Sequence, residues 1–439
     1  MVLKRKMEAQ LRQWKAEANH KPLVLKGCRQ CGKTYSVLAF AKENYESVVY
    51  LNFLENPDYR DIFAGSLAVD HLMLLLSTIV APNILLVPGK TLLVFDEIQA
   101  CPEARTALKF FKLDGRYDVI ATGSLSGVKG YGEPRSVPVG YETVLTMRPL
   151  DFEEFLWANG IGEPVVQLLQ KCLASASPVP LALHKKLRQL LLEYTVVGGM
   201  PEVVQDYVEH RQMNRVLQLQ RDIVHAYEDD MVKYAEARDK SKIKECFQSI
   251  PRQLSRENKK FQYAVIKKGG RAAEFLGSLQ WIEDAGIIVR CYNLQLPELP
   301  LDGNAMNDVF KVYMADTGLF ASLLEDGTQL DILRGNLFGY KGAIFENLVA
   351  DIFSKMGRRL YYYHKDTGLE VDFVIRWRGQ STLVEVKATT GDTKSTKTIL
   401  KHPEKYHVGG AIKLGDYNIG GSGAILSLPL YMGFLLKQT

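Results

Sequence analysis

Gly27-Cys28-Arg29-Gln30-Cys31-Gly32-Lys33-Thr34 is the stretch whose reading decides the fold. It matches G-x-x-x-x-G-K-[ST], follows the apolar run Leu23-Val24-Leu25 and opens a helical pattern from Tyr35 to Lys42. In a strand–loop–helix setting, the glycines let backbone N–H groups turn inward around phosphate oxygens, and the helix N-terminus adds positive potential. Residues 27–34 are therefore expected to cradle a nucleotide. The spacing lets Lys33 reach the β- and γ-phosphates and puts the Thr34 hydroxyl in the Mg²⁺ shell.

Short β-rich runs alternate with helical patterns on either side of this loop. The clearest are Leu23–Leu25, Val48–Leu51, Leu92–Phe95 and Val119–Ala121, with a further strand at Val144–Met147. Continuous apolar runs separated by helices indicate a parallel α/β sheet buried on both faces, here a P-loop NTPase sheet over residues 1–150. Leu92-Leu93-Val94-Phe95 ends in Asp96-Glu97, so two carboxylates emerge at the carboxyl edge of a buried strand, where open α/β sheets bind ligands. Asp96 is expected to hold Mg²⁺, and Glu97 to orient or deprotonate the attacking water of ATP hydrolysis. Thr122 or Ser124, at the end of a third strand, offers a hydrogen bond to the γ-phosphate; ordinary turn chemistry explains Gly123-Ser124 equally well. Arg116 and Arg148 are candidates for an arginine finger, in cis or from another copy in a homo-oligomer.

On these motifs residues 20–150 resemble a prokaryotic AAA-type ATPase domain. Phe95-Asp96-Glu97-Ile98-Gln99, Thr122-Gly123-Ser124, Phe152-Glu153-Glu154-Phe155-Leu156, Gly198-Gly199-Met200-Pro201 and Asp316-Thr317-Gly318-Leu319 extend the resemblance over nearly the whole chain. They are similar to a bacterial and archaeal family that joins this ATPase to a C-terminal domain of unknown function. The resemblance implies ATP and Mg²⁺ as cofactors; the motifs outside the ATPase imply no activity. Cys28 and Cys31 stand where the loop motif sets no requirement. No second ligand pair completes a zinc site, and although a disulfide there would deform the loop, two small tolerated residues is the simpler reading.

The second informative stretch is Glu370–Trp377 followed by Ser381–Lys387. Side chains alternate along a strand, so Glu385 and Lys387 share one face. A two-residue turn at Arg378-Gly379 pairs residue 372 with 385, and one at Gly379-Gln380 pairs it with 387. Either brings Asp372, Glu385 and Lys387 together; a three-residue turn does not. An acid opposite Glu-x-Lys suits metal-dependent phosphodiester cleavage, with Asp372 and Glu385 on the metal and Lys387 positioning water. The pattern resembles the PD-(D/E)xK nuclease core, and Glu346 in the helix Ala343–Lys355 matches the additional metal ligand of some members. Val371 stands where the motif has proline. A structural ion pair with Lys387 explains the same residues without chemistry. Arg376, Arg378, Lys394, Lys397, Lys401 and Lys405 form a basic surroundings suited to phosphates.

This C-terminal α/β nuclease-like domain, residues 331–439, begins near Gly339 and includes strands Leu360–Tyr363, Thr382–Ala388, Gly410–Leu414 and Ala424–Leu430. Between the two ends, residues 151–241 read as a helical linker running to about Glu236. Residues 242–330 read as a winged helix. There a helix bearing Ile243, Cys246, Phe247 and Ile250 meets Pro251, and a second bears Phe275, Leu276, Leu279 and Ile282. Two strands follow, Ile287–Tyr292 and Val309–Tyr313. Arg252, Arg256, Lys259, Lys260, Lys267, Lys268, Arg271 and Arg290 make the region basic, and DNA is the expected partner.

The remaining properties bound these expectations. The 439 residues are 46% apolar and 24% charged, which suits about three globular units. A net charge of +5 gives no global case for nucleic acid, so local patches must carry it. Six cysteines are too few for a disulfide framework, and the apolar stretch Leu72–Phe95 is broken by prolines. A cytoplasmic protein without a membrane anchor is expected.

Overall fold

The computed structural model describes residues 2–124, 140–234, 240–256, 260–336, 341–387 and 393–437. Glu236, Lys259, Gly339 and Ala388 lie outside the described residues. The chain forms two compact units, one of residues 2–149 with 284–286, the other of residues 150–283 with 287–439.

The first unit is built on strands β1 (Leu23–Gly27), β2 (Ser47–Asn52), β3 (Thr91–Asp96), β4 (Asp118–Ser124) and β5 (Thr143–Met147). They form one parallel sheet in the order β2-β3-β4-β1-β5. Every residue of β3 is buried, because apolar layers cover both faces. On one face Phe95 meets Phe53, Phe63 and Phe111 edge-on, with ring centroids 6.2, 5.4 and 6.0 Å apart. On the other, Met7, Leu11 and Trp14 of the helix Lys6–Ala16 join Val37 and Phe40 of the helix Lys33–Asn44. The apolar stretch after Leu72 becomes a helix, Val69–Leu75, and a single π turn, Leu76–Val80. Among the described residues no helix is long and apolar enough to cross a membrane.

The second unit opens with a capped helix, Phe152–Ala158. The Asp151 carboxylate accepts from Glu154 N at 2.9 Å, and that of Glu154 accepts from Asp151 N at 3.1 Å. Helices Glu163–Ser175, Leu181–Val197, Pro201–His210 and Met213–Tyr234 follow. The Gly198-Gly199 turn and the Asp316-Thr317-Gly318 segment press backbone against backbone. A Cβ on Gly318 would stand 2.5 Å from Gly198 N, and one on Gly199 would stand 2.0 Å from the Leu150 carbonyl. Asp316 ties the joint by accepting from Gly199 N at 2.7 Å and Leu319 N at 3.2 Å. Beneath it Lys355 pairs with Asp316 at 3.1 Å and Asp351 at 2.8 Å, all three buried. These two motifs form a packing joint.

Residues 240–314 depart from expectation in three places. The helix Lys240–Leu254 runs through Pro251 for three more residues. Leu276 is 46% exposed while Phe275, Leu279 and Ile282 are fully buried, since the i, i+4, i+7 stripe leaves residue 276 to one side. The hairpin of β6 (Ile288–Leu294) and β7 (Ala305–Met314) also does not stand alone. Beyond its antiparallel partner β7, β6 pairs in parallel with β8 (Leu360–His364), Cys291 opposite Leu360. With β9 (Glu370–Val371) the order is β7-β6-β8-β9. A second, mixed sheet runs β10 (Phe373–Trp377), β11 (Gln380–Lys387), β12 (Gly410–Gly415), β14 (Ile425–Pro429) and β13 (Gly420–Ser422).

Candidate functional site

The parallel register brings Gly27 of β1 level with Ser124 of β4 and Met147 of β5, so the glycine loop leaves the sheet at its carboxyl edge. Gln30 and Gly32 turn the loop with φ of 61° and 92°, and the helix beginning at Lys33 follows directly. A side chain at residue 27 would not fit, because its Cβ would lie 2.3 Å from the Met147 carbonyl. The Lys33 ammonium is buried and donates to the loop carbonyls of Gly27 at 3.2 Å and Cys28 at 2.8 Å.

Thr34 Oγ1 donates to Asp96 Oδ2 at 3.0 Å, so the loop hydroxyl and the strand carboxylate stand side by side. Asp96 is fixed from several directions. Tyr50 Oη donates to Oδ2 at 2.7 Å, Asn52 Nδ2 approaches at 3.5 Å, Glu97 N donates to Oδ1 at 3.1 Å, and the Thr122 hydroxyl donates to Oδ1. Tyr50 and Asn52 escaped sequence reading although they lie on the neighbouring strand, Asn52 directly opposite Asp96. Burial and the bond to Asp96 push the Tyr50 phenol upward, so it remains a donor. Glu97 sits in the left-handed region (φ 55°, ψ 46°), a conformation costing about 1–3 kcal/mol that is tolerated where function needs it. Its carboxylate accepts from Gln99 Nε2.

Thr122, one of the two γ-phosphate candidates, is fully buried and positions Asp96. Ser124 remains beside the loop. Arg116 is corrected as a finger in cis. It precedes β4 and so lies at the edge opposite the loop, where it pairs with Asp114 at 2.7 Å and Asp70 at 2.5 Å. Arg148 follows β5 at the loop edge, its carbonyl accepting from Arg5 at 2.6 Å. Thr34 and Asp96 fit Mg²⁺, a hard ion that P-loops hold with one hydroxyl, one carboxylate, phosphate oxygens and water.

In the second unit, Trp377 pairs with Gln380, so the turn is the two-residue one at Arg378-Gly379, both with positive φ. Continuing that register sets Asp372 level with Glu385. Asp372 interrupts β9 and β10 and its Oδ2 accepts from Val386 N at 2.7 Å. Lys387 reaches Glu385 Oε2 at 2.8 Å, and the Thr396 hydroxyl donates to Oε1 at 2.6 Å. Glu346 Oε2 accepts from Tyr313 at 3.2 Å and lies 4.0 Å from Lys311, which also pairs with Glu370 at 2.9 Å. Burial, with Glu346 and Glu385 nearby, raises Asp372 to about 7. Burial opposes the charge on Lys311, but Glu346, Glu370 and Asp372 outweigh it and raise its pKa.

Asp372, Glu385, Lys387 and Glu346 are therefore neighbours, but as a lysine-neutralised cluster. Among the described residues no group of three or more His, Cys, Asp or Glu is arranged to hold a metal ion. Glu385 is held by Lys387 through Oε2 and by Thr396 through Oε1, so in the expected set of Asp372, Glu385 and Glu346 it is lysine, not a metal ion, that offsets the charge here. Sequence reading missed Lys311, although a charge inside an otherwise apolar strand was the available signal. Arg376, Arg378, Lys394, Lys397, Lys401 and Lys405 are exposed, as are Arg252, Arg256, Lys260, Lys267, Lys268 and Arg271. Arg290 leaves that basic group, since it is buried against Glu283 at 2.9 Å.

The fold and loop of the first unit define a P-loop nucleotide-binding protein. Residues 19–156 match the family model of an AAA domain, so the chain contains an AAA-type ATPase domain. Residues 188–330 and 341–431 match two models described as domains of unknown function. No curated protein matches the chain. Among solved structures, it is similar to a Walker-type ATPase of Pyrococcus abyssi at 13% identity and a TM-score of 0.44, over 73% of this chain and 96% of that one. It is also similar to Aeropyrum pernix Orc1 in complex with DNA, at 14% identity and a TM-score of 0.30, over 74% and 93%. The AMPPCP-bound DnaA of Aquifex aeolicus matches at 11% identity and a TM-score of 0.28, over 64% and 86%.

Proposed function

We propose that this protein is a Mg²⁺-dependent ATPase of the cytoplasm whose nucleotide state controls DNA binding by its C-terminal half. The observation that carries the reading is the bond from Thr34 to Asp96 directly behind the glycine loop. Residues 27–34 would hold the phosphates, Lys33 exchanging its loop carbonyls for β- and γ-phosphate oxygens. Thr34 and Asp96 would hold Mg²⁺, which when bound neutralises charge between those phosphates. Glu97 takes the proton of the attacking water, and Ser124 stands where a γ-phosphate oxygen would meet a hydroxyl.

DNA binding rests on residues 242–330. The order of helices Lys240–Leu254, Tyr263–Ile266 and Ala272–Asp284 followed by the β6–β7 hairpin supports a winged-helix reading. Lys267, Lys268 and Arg271 are exposed where its recognition helix begins. In residues 331–439 the helix Lys341–Lys355, strands β8 to β11, helices Lys394–Leu400 and Pro403–Tyr406 and then β12 follow one another, which supports a PD-(D/E)xK-like order if β9 and β10 count as one strand interrupted at Asp372. Pairing of Lys387 with Glu385 favours a second reading for that part, a module that binds DNA without cutting it.

Turnover of ATP by the purified protein, with and without duplex DNA, tests the coupling. Lys33→Ala is the blank, and it should bind nucleotide about 10- to 100-fold more weakly, from the ~1.5–3 kcal/mol of a charged hydrogen bond. Stimulation by DNA supports the proposal, and turnover indifferent to DNA removes it. Supercoiled-plasmid nicking in Mg²⁺ divides the two readings of the C-terminal cluster. Nicking that Lys387→Ala abolishes, with ATP turnover intact, establishes a nuclease; a parent protein that never nicks leaves the binding module.

A further inference from the structure

The glycine loop carries two thiols that ATP chemistry does not use. Cys28 and Cys31 flank the Arg29-Gln30 turn, and a four-residue turn holds its end Cα atoms within about 7 Å, the range a disulfide spans. They are 4% and 0% exposed. Cys31 Sγ also lies 3.6 Å from the Met147 carbonyl. Arg5 crosses the loop, donating to Cys31 O at 3.0 Å, and Lys33 donates to Cys28 O at 2.8 Å. Two cations thus flank one sulfur pair. The bond from Cys28, helped by Lys33 and Arg5 against the cost of burial, lowers the Cys31 thiol to about 6.

We infer that Cys28 and Cys31 form a reversible disulfide in response to a hydroperoxide, and that the bridge switches the nucleotide site off. The inference rests on the reading of residues 27–34 as that site. Cys31, as thiolate, attacks one oxygen of hydrogen peroxide; the O–O bond breaks, leaving a sulfenic acid and a hydroxide that becomes water on protonation. Cys28 then attacks the Cys31 sulfur; the S–S bond forms, the S–O bond breaks, and the Cys28 proton leaves with the hydroxyl as a second water. Two sulfurs supply the two electrons that reduce the peroxide. A small oxidant suits the place, because the loop must admit phosphate oxygens and an attacking protein thiol would not reach a buried sulfur. The bridge deforms the loop that Lys33 braces through the carbonyls of Gly27 and Cys28, so its N–H groups cannot close around phosphate.

The test treats full-length reduced protein with hydrogen peroxide and follows two readouts, the mass of the peptide containing residues 27–33 and binding of a fluorescent ATP analogue. The expected result is a peptide two hydrogens lighter, lost nucleotide binding, and recovery of both with dithiothreitol. Cys28→Ser and Cys31→Ser, each compared with its own reduced state, should keep whatever affinity they have after peroxide. Over-oxidation to sulfinic acid, pairing with another cysteine, or a Cys28–Cys31 bridge that leaves binding unchanged overturns the inference. Failure of the reduced parent to bind the analogue is a separate result, and it removes the nucleotide-site reading itself.

Discussion

Glu97→Gln should bind ATP as tightly as the parent and hydrolyse it at least about 10²-fold more slowly, the lower range for loss of a positioned general base. The two effects separate because of where the residue sits. Phosphate binding belongs to residues 27–34, and metal binding to Thr34 and Asp96, whose own contacts come from Tyr50, Asn52 and Thr122. Glutamine keeps the size of the side chain and its place beside Gln99 but cannot take a proton. Glu97 N, which donates to Asp96, is unaffected. Equilibrium binding of a fluorescent ATP analogue alongside phosphate release measures both halves. Normal turnover by Glu97→Gln would remove Glu97 from the role assigned to it.

Lys355→Met should destabilise the second unit by about 3–5 kcal/mol, the cost of leaving buried charge without its partner. Lys355 is the cation between Asp316 and Asp351, and Tyr194 Oη accepts from it at 2.9 Å. Asp316 cannot turn to solvent, because it also fastens Gly199 and Leu319 across the glycine joint. Burial already raises Asp351 to about 6 in spite of the lysine. A carboxyl raised above its unfolded value costs stability that grows as pH climbs from about 4 to about 6 and then levels off. Without Lys355 the pKa rises further, so the variant's deficit should be smaller near pH 5 than near pH 8. Denaturant midpoints at the two pH values, with unchanged slope, measure this. Replacing all three charges together, as Asp316→Asn, Asp351→Asn and Lys355→Met, should cost less than three separate losses, since no charge is then stranded.

The parallel sheet was legible because strands buried on both faces must be apolar throughout, and such runs need no knowledge of their partners. The loop was legible because its chemistry is local, eight consecutive residues between a strand and a helix. What local pattern does not hold is adjacency across the sheet. Tyr50 and Asn52 stand beside Asp96 only because β2 pairs with β3, and no spacing along the chain says so. Lys311 itself left a signal, but its partners Glu346 and Glu370 were hidden for the same reason, lying on elements far along the chain. Asp372 and Glu385 were within reach of sequence reading because one tight turn joins their strands. The ion pair of Glu385 with Lys387 was within reach too, but the Thr396 hydroxyl on Glu385 was not, since Thr396 comes from a separate helix. The glycine motifs at residues 198 and 318 were visible, but their meaning depends on a close approach that only the fold supplies.

The double pairing of β6 bears on how the C-terminal half could have been inherited or can be cut. The two family models of unknown function divide between residues 330 and 341, yet hydrogen bonds from β6 run to β7 on one side of that division and to β8 on the other. Severing the chain there would leave β8 with a raw edge, a row of unpaired N–H and C=O groups that invites aggregation. It would also take Lys311 away from Glu346 and Glu370. Neither piece is a free module: a lineage that shuffled one without the other would have had to rebuild a strand.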